Sequence, residues 1–434
     1  MEGPMRIFVS AGEPSGDLHG ANLVRSLRNS LPDCEFVGFG GPHMARAGTQ
    51  LLFPLTELAV MWFLQVFQNL RTFFRILKQA DDYFKEHKPD AVVLIDYPGF
   101  HWHLAKCAKR HGIPVVYFVP PQLWAWAGWR VKKVQRTVDL VLCSLPFEPD
   151  WYKERGYENA FYVGHPYFDE VKDRPVDNDF LADLQTNIGP VVAILPGSRT
   201  QEIKRNLPSM LRAAAKVAAV RPDTRFMIAC LHERHAALVR GTADRLARED
   251  REKKSCPNPI IDPAALQVFS GRTPELIRLA DLAWSVSGSV SLELMHETLP
   301  TIILYTVKKI DLIIARPFIK AKFITLVNLL ANAEVMPEYL VDHDASNELA
   351  TWALTWINNS QERGLAVRRL ADLKARVAQP GACDRAAQKI IETLGLRSQP
   401  SIFRGPHNRT RVRRSDSGGD EGYDTGGPLG LYEG

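Results

Sequence analysis

Cysteine is sparse in this chain. Its 434 residues include six, Cys34, Cys107, Cys143, Cys230, Cys256 and Cys383, and no two form a C-x-x-C pair. This scatter argues against a zinc site and a disulfide framework, and it fits a reducing compartment. Long apolar runs are missing too. None is long enough to span a bilayer, and the first residues enter a strand pattern without the apolar stretch of a secretion signal. A cytosolic protein with at most peripheral membrane contact is expected. Charge of one sign is not in large excess: 54 Lys and Arg against 49 Asp and Glu give a net +5. Five of the arginines, Arg404, Arg409, Arg411, Arg413 and Arg414, cluster together. So mild an excess permits an anionic partner without demonstrating one, and no nucleic-acid partner is expected.

What is present is an ordinary globular composition, 45% hydrophobic and 24% charged, long enough for two or three domains. The most informative stretch is 191–217. An apolar run of strand length, 191–195, stops at Pro196, Gly197, Ser198 and Arg199, and a helical pattern follows. A helix start carries unpaired N–H groups and a positive dipole end. Gly197 allows close approach, Ser198 offers a hydroxyl, and Arg199 can fork onto a phosphate. The turn reads either as an anion site or as a plain strand-to-helix connection with a surface arginine.

Strand patterns recur at 6–10, 36–39, 91–95, 115–119, 140–143, 226–229, 282–285 and 301–307, with helical patterns between many of them. Alternation of this kind predicts parallel sheets with ligands at the carboxyl ends of the strands. Several polar groups fall at such ends. Glu13, Ser15, Asp17 and His19 follow the first strand, with Asp17 read as a helix N-cap. Asp96 follows 91–95 and is a candidate general base, or else a cap for the next helix. Ser287, Gly288 and Ser289 form a second small-residue turn, ahead of a helix carrying Glu293. His101 and His103 stand two apart and would not share a helix face, so no metal site is expected. Three tryptophans, Trp124, Trp126 and Trp129, sit in a proline-stiffened loop.

The stretch 55–77 is greasy and basic. Val60, Met61, Trp62, Phe63, Val66, Phe67, Leu70 and Phe73 exceed one helix face, and Arg71, Arg75 and Lys78 follow. Such a segment lies on a membrane or lines an acyl pocket, or else is buried on two sides. A second basic and apolar segment spans 310–326. From 398 onward the apolar pattern is lost, and disorder is expected. The expected organisation is a first Rossmann-like domain at 1–168, a linker at 169–188 and a second Rossmann-like domain at 189–396. The last helices of the second domain are candidates to pack back on the first, and a tail covers 397–434.

The motifs SAGEPSGDLHGANLV, VGFGGPHMARAG, ELAVMW, LIDYPGF, WAW, LPFE, VGHP, LPGSR-x-x-E, SGSVSLE, NLLANAEVMPEYL and PGACDRAA occur in that order. Together they resemble the lipid A disaccharide synthase family, over residues 5 to about 395. The resemblance implies a GT-B fold, two doubly wound parallel-sheet domains facing a cleft. It implies an inverting transfer without metal or other cofactor. UDP-2,3-diacylglucosamine and 2,3-diacylglucosamine 1-phosphate would give the β(1→6) tetraacyl disaccharide 1-phosphate and UDP, at the cytoplasmic face of a Gram-negative inner membrane. On that basis Asp96 is the first choice of base and Glu13 the second. Gly197, Ser198 and Arg199, with Ser287, Gly288 and Ser289, would hold the diphosphate, and Glu293 the ribose. Asn328 and Glu334 would lie near the nucleotide, and the greasy stretch would meet acyl chains and bilayer. A homodimer is implied by analogy. The chain departs from the family pattern at Gly99, Pro120, Asn332 and Ala333. Two other readings stay open: another GT-B enzyme, such as a UDP-sugar epimerase or the peptidoglycan lipid II glycosyltransferase, and a non-catalytic lipid-binding protein on a degenerate transferase fold.

Overall fold

A computed structural model describes residues 4–57, 70–171, 176–185, 189–252, 258–307 and 322–396. Expectations for Val60, Met61, Trp62, Phe63, Val66 and Phe67, for Cys256, for most of 310–326 and for the tail lie outside them.

Two all-parallel sheets organise the chain. The first has seven strands: β1 (Arg6–Ala11), β2 (Glu35–Phe39), β3 (Gln50–Phe53), β4 (Ala91–Ile95), β5 (Val115–Phe118), β6 (Leu140–Cys143) and β7 (Ala160–Tyr162), in the order β3-β2-β1-β4-β5-β6-β7. The second has six: β8 (Val191–Leu195), β9 (Arg225–Cys230), β10 (Leu266–Ser270), β11 (Leu282–Ser285), β12 (Thr301–Thr306) and β13 (Glu338–Val341), in the order β10-β9-β8-β11-β12-β13. The inner strands are covered by helices on both faces, so β4 and β8 are buried along their whole length and read as continuous apolar runs. Four strands were not visible as apolar runs, β3, β7, β10 and β13. They are the four sheet edges.

In each sheet the strand order reverses once, between β1 and β4 and between β8 and β11. A crevice opens at such a point, beyond the carboxyl ends of the two strands. The loops that follow those strands carry Glu13, Asp96, Arg199 and Ser287.

The chain crosses between the two cores more than once. Tyr167, Phe168 and Val171 pack with the second sheet. The final helix, Ala382–Leu394, returns to the first: Cys383, Ala386, Ala387 and Ile390 share a core with Ile7, Val9 and Ile95. Asp169 fastens this return. Its carboxylate accepts from the backbone N–H groups of Gly381, Ala382 (3.1 Å) and Cys383 (2.8 Å), the otherwise unpaired donors at that helix start. Arg385 adds a bond from Nε to the Val163 carbonyl at 2.8 Å. The stretch expected to be a linker thus contains a clasp residue, and helices occupy Tyr167–Val171 and Asn178–Gln185 within and beside it.

Asp17 needs a correction. It lies inside the helix Pro14–Ser30, whose N-cap is Glu13. Its buried carboxylate instead accepts from Gly41, His43 and Met44 N–H at 2.8, 2.9 and 3.0 Å, and so caps the short helix Pro42–Arg46.

Asp169→Ala removes an acceptor from three helix-start donors. A loss of about 1–2 kcal/mol is expected, read as a lower urea midpoint and faster proteolysis near the C-terminal helix. An unchanged midpoint would show that the clasp adds nothing to stability.

Candidate active site

At the end of β4 the backbone turns sharply. Asp96 and Tyr97 both take left-handed conformations, with φ of 52° and 47°. Two buried donors hold the turn through one acceptor. His101 Nδ1 lies 2.7 Å and the Tyr117 hydroxyl 2.6 Å from the Asp96 carbonyl oxygen. Burial lowers the His101 pKa to about 4, so the ring is neutral at ordinary pH. With Nδ1 donating to the carbonyl, Nε2 accepts from the buried Ser10 hydroxyl at 2.9 Å. A neutral Ser10–His101 pair from β1 and the helix Pro98–Arg110 thus fixes the peptide that carries Asp96.

The Asp96 carboxyl is largely shielded from solvent. Burial raises its pKa above the usual carboxylate range, while the Tyr97 backbone N–H and His19 pull the other way. His19 Nδ1 sits 2.6 Å from Glu170 Oε1. Glu13, at the end of β1, also has a raised pKa. Burial is the main cause, the negative charge of Asp96 adds to it, and the positive charge of Arg199 offsets part. These couplings place Glu13 within electrostatic reach of both Asp96 and Arg199. The crevice of the first sheet and the crevice of the second therefore face each other.

Tyr97 sits between the two acidic loops. A Cβ on Gly12 would lie 2.1 Å from the Tyr97 ring, so only glycine allows this packing. The sequence reading did not single out Tyr97.

On the facing side, the Pro-Gly-Ser-Arg turn leads into the helix Thr200–Val220 with Arg199 as N-cap. Gly197 has φ of 133°, and a Cβ there would meet the Glu202 Cβ at 2.5 Å. The Glu202 carboxylate accepts from Ser198 N–H at 3.1 Å and Arg199 N–H at 3.2 Å, and Arg199 Nη1 lies 3.4 Å from its other oxygen. The N–H donors expected to meet a phosphate are therefore occupied by a carboxylate. Any ligand that used these donors would have to displace it. Beside this turn is a cavity of about 140 Å³ lined by Arg199, Gln201, Glu202, Arg205, Asn206, Tyr305 and Thr306.

The second small-residue turn is partly committed. The Ser287 hydroxyl donates to the Ile324 carbonyl at 2.7 Å. Gly288 and Ser289 are exposed ahead of the helix Val290–His296, and a Cβ on Gly288 would meet nothing within 4 Å. Glu293 lies in that helix and is buried.

Asn328 departs from expectation. Its Nδ2 donates to the Met336 carbonyl (2.8 Å) and to Glu338 Oε2 (2.9 Å), and its Oδ1 accepts from Val335 and Met336 N–H (2.9 Å each). All four hydrogen-bonding positions of the side chain are filled by protein, which leaves none for a nucleotide. Its work is to hold the loop that ends in Glu338. Glu338 in turn accepts from Ile324 N–H, Thr325 N–H and the Thr325 hydroxyl. Glu334 is exposed and accepts a long 3.5 Å bond from Glu338 N–H.

Among the described residues, no group of three or more His, Cys, Asp or Glu is arranged to hold a metal, and no helix is long and apolar enough to cross a membrane. Of the greasy stretch, Leu70 begins the helix Leu70–His87, and Phe73 is half-buried with its ring centroid 5.4 Å from that of His103.

Solved structures with this arrangement include UDP-sugar epimerases. A putative UDP-N-acetylglucosamine 2-epimerase from Listeria monocytogenes aligns with a TM-score of 0.60 at 12% identity, over 91% of this chain and 97% of its own. The Neisseria meningitidis UDP-GlcNAc 2-epimerase bound to UDP-GlcNAc aligns at 0.58 and 12%, over 90% and 99%. At such identity the likeness is one of fold, and it defines the class: the two-sheet GT-B fold shared by glycosyltransferases and epimerases. Within that class sequence decides. The family model described as lipid-A-disaccharide synthetase matches residues 7–390. The lipid-A-disaccharide synthase of Myxococcus xanthus is 36% identical over 91% of this chain and 99% of its own, and that of Coxiella burnetii 30% over 89% and 98%. The chain belongs to the lipid-A-disaccharide synthetase family and is a glycosyltransferase of lipid A biosynthesis.

Gly197→Ala forces a Cβ into Glu202 at a backbone angle that disfavours side chains. UDP affinity, measured by calorimetry, is expected to fall about tenfold or more, with a stability loss of about 1–2 kcal/mol. Unchanged affinity would mean that the turn does not meet the diphosphate.

Proposed function

We propose that the chain joins UDP-2,3-diacylglucosamine to 2,3-diacylglucosamine 1-phosphate, giving the β(1→6)-linked tetraacyl disaccharide 1-phosphate and UDP with inversion at the anomeric carbon. What supports this reading beyond family membership is one arrangement. Glu13, at the crevice of the first sheet, lies within electrostatic reach both of Asp96 beside it and of Arg199 at the crevice of the second. Inversion asks for a base on one face of the sugar and a leaving group on the other, which two facing crevices supply.

Asp96 takes the proton of the acceptor 6-hydroxyl. Burial that raises its pKa brings it nearer the working pH, where a general base is most effective. Glu13 stands beside it and is the second choice. Arg199 carries positive charge toward the diphosphate as it leaves, a role that needs fixed donors where no metal takes part. Ser198, Gly288 and Ser289 supply further donors once Glu202 has been displaced, and Glu293 serves the ribose. The domain division at 1–168 and 189–396 assigns acceptor and acyl chains to the first sheet and the nucleotide to the second. The apolar residues between Val60 and Phe73 dock the protein peripherally on the membrane.

The test is UDP release with mass spectrometry of the lipid product, in non-ionic detergent with a chelator present. Disaccharide plus UDP is expected. Asp96→Asn is expected to lower kcat by about 10²–10⁴ with KM little changed. A base works only when deprotonated, so the rate is present above its pKa and lost as pH falls through it. With that pKa raised, the acid limb of the wild-type profile lies above the ordinary carboxylate value of about 4, and the variant lacks the limb. Asp96→Asn retaining most of kcat would remove Asp96 as the base.

A further inference from the structure

Away from the facing crevices, the outer surface of the first sheet's helical layer has a groove of about 560 Å³. It is lined by Leu77, His103, Lys106, Cys107, Lys109, Arg110, Arg136 and Thr137. Five of these eight are basic. Two of the five are neutralised: Lys109 by Asp139 at 2.7 Å and Arg110 by Asp81 at 3.1 Å. No carboxylate among the described residues pairs with His103, Lys106 or Arg136. Lys132 and Lys133 are exposed on the same helix as Arg136, Val131–Thr137, and likewise form no ion pair. Crowding of positive charge is visible at His103, whose pKa is lowered first by partial burial and then by Lys106 and Lys133.

An exposed basic helix face is usually just solvated. Two features set this one apart. The cations line a concave surface, where like charges repel unless an anion sits among them. The same helices and their neighbours also carry two large aromatic side chains turned out to solvent, Phe74 at 60% and Trp129 at 62% exposure. Arg130 stacks on the Trp129 ring at 5.8 Å. Exposed aromatics beside clustered cations are the pattern of a surface that rests at a lipid–water boundary. The groove is not part of the catalytic crevice. It follows the helix Pro98–Arg110 back from the carboxyl edge of β4, to a point about 18 Å along the helix axis from Asp96.

We propose that this groove, through Lys106, Arg136 and His103, binds the phosphate headgroups of anionic membrane lipids and makes docking selective for anionic bilayers. The proposal rests on the peripheral docking reading above and adds a lipid class and named residues to it. Phosphodiester headgroups fit because each carries one negative charge and oxygens that accept from Lys and Arg together.

The experiment is cosedimentation of the full chain with vesicles of phosphatidylcholine alone or mixed with phosphatidylglycerol, over a range of salt. Wild type is expected to partition more strongly to the anionic vesicles, with the advantage falling as salt rises. Lys106→Gln combined with Arg136→Gln changes two exposed side chains. At about fivefold per basic residue near an anionic surface, the pair is expected to lose roughly 25-fold of the anionic preference. Partition to neutral vesicles, the thermal midpoint and UDP release in non-ionic detergent should be retained. A double variant that keeps the full anionic preference overturns the proposal. Inorganic phosphate that binds the free chain and abolishes the preference at constant ionic strength also overturns it, in favour of a free-anion site. Wild type that binds neither vesicle overturns the docking reading as well, while the detergent assay judges the catalytic reading separately.

Discussion

The active crevice depends on one doubly hydrogen-bonded carbonyl. Asp96 and Tyr97 hold left-handed backbone conformations that cost about 1–2 kcal/mol per residue for side chains of this kind. His101 and Tyr117 offset that cost by donating to the same Asp96 oxygen from inside the core. Three consequences follow from this kink. The strand Ala91–Ile95 is brought to an end with Asp96 at the carboxyl edge of the sheet. The Tyr97 ring is laid over Gly12, which sets the spacing to the Glu13 loop. The helix Pro98–Arg110 then starts at the angle that packs it on the sheet. The histidine that anchors the kink is kept neutral by burial, so it acts as a fixed donor and not as a titrating group.

The second sheet repeats the geometry with opposite charge. Its first crevice loop is a glycine turn that brings Arg199 forward, and Glu202 occupies the turn's N–H groups. On the proposed reading, an acid-bearing crevice opposite an arginine-bearing one separates the two halves of a displacement reaction, proton removal on one side and charge departure on the other. Glu202 keeps the helix start satisfied without ligand, so the site does not leave donors bare.

Much of this was legible in the chain because buried parallel strands write themselves as apolar runs. The nine strands read from sequence are interior or one step from the edge. The four missed, β3, β7, β10 and β13, each border a sheet on one side only and are largely half-exposed, so their patterns are mixed. Asp96, Glu13 and Arg199 were readable for a related reason: a polar residue directly after an apolar strand is at a carboxyl end by construction. Tyr97, Glu202 and Glu338 were not, because their work depends on what lies across a turn. The partners of the Asn328 amide were hidden on the same ground, since it spans a loop whose path the sequence does not state. Asp17 and Asp169 both cap helices other than their own, and such partners are remote in sequence. Asp169 meets Gly381 from 212 residues away.

The returning helix Ala382–Leu394 has a bearing on how the molecule comes into being. Ile7, Val9 and Ile95 leave the ribosome well before Cys383, Ala386, Ala387 and Ile390, with which they share a core. At about 5–20 residues per second the wait is on the order of ten seconds or more. Throughout it one flank of the nascent first sheet stays uncovered, and its core closes only after every strand of the second sheet has been made.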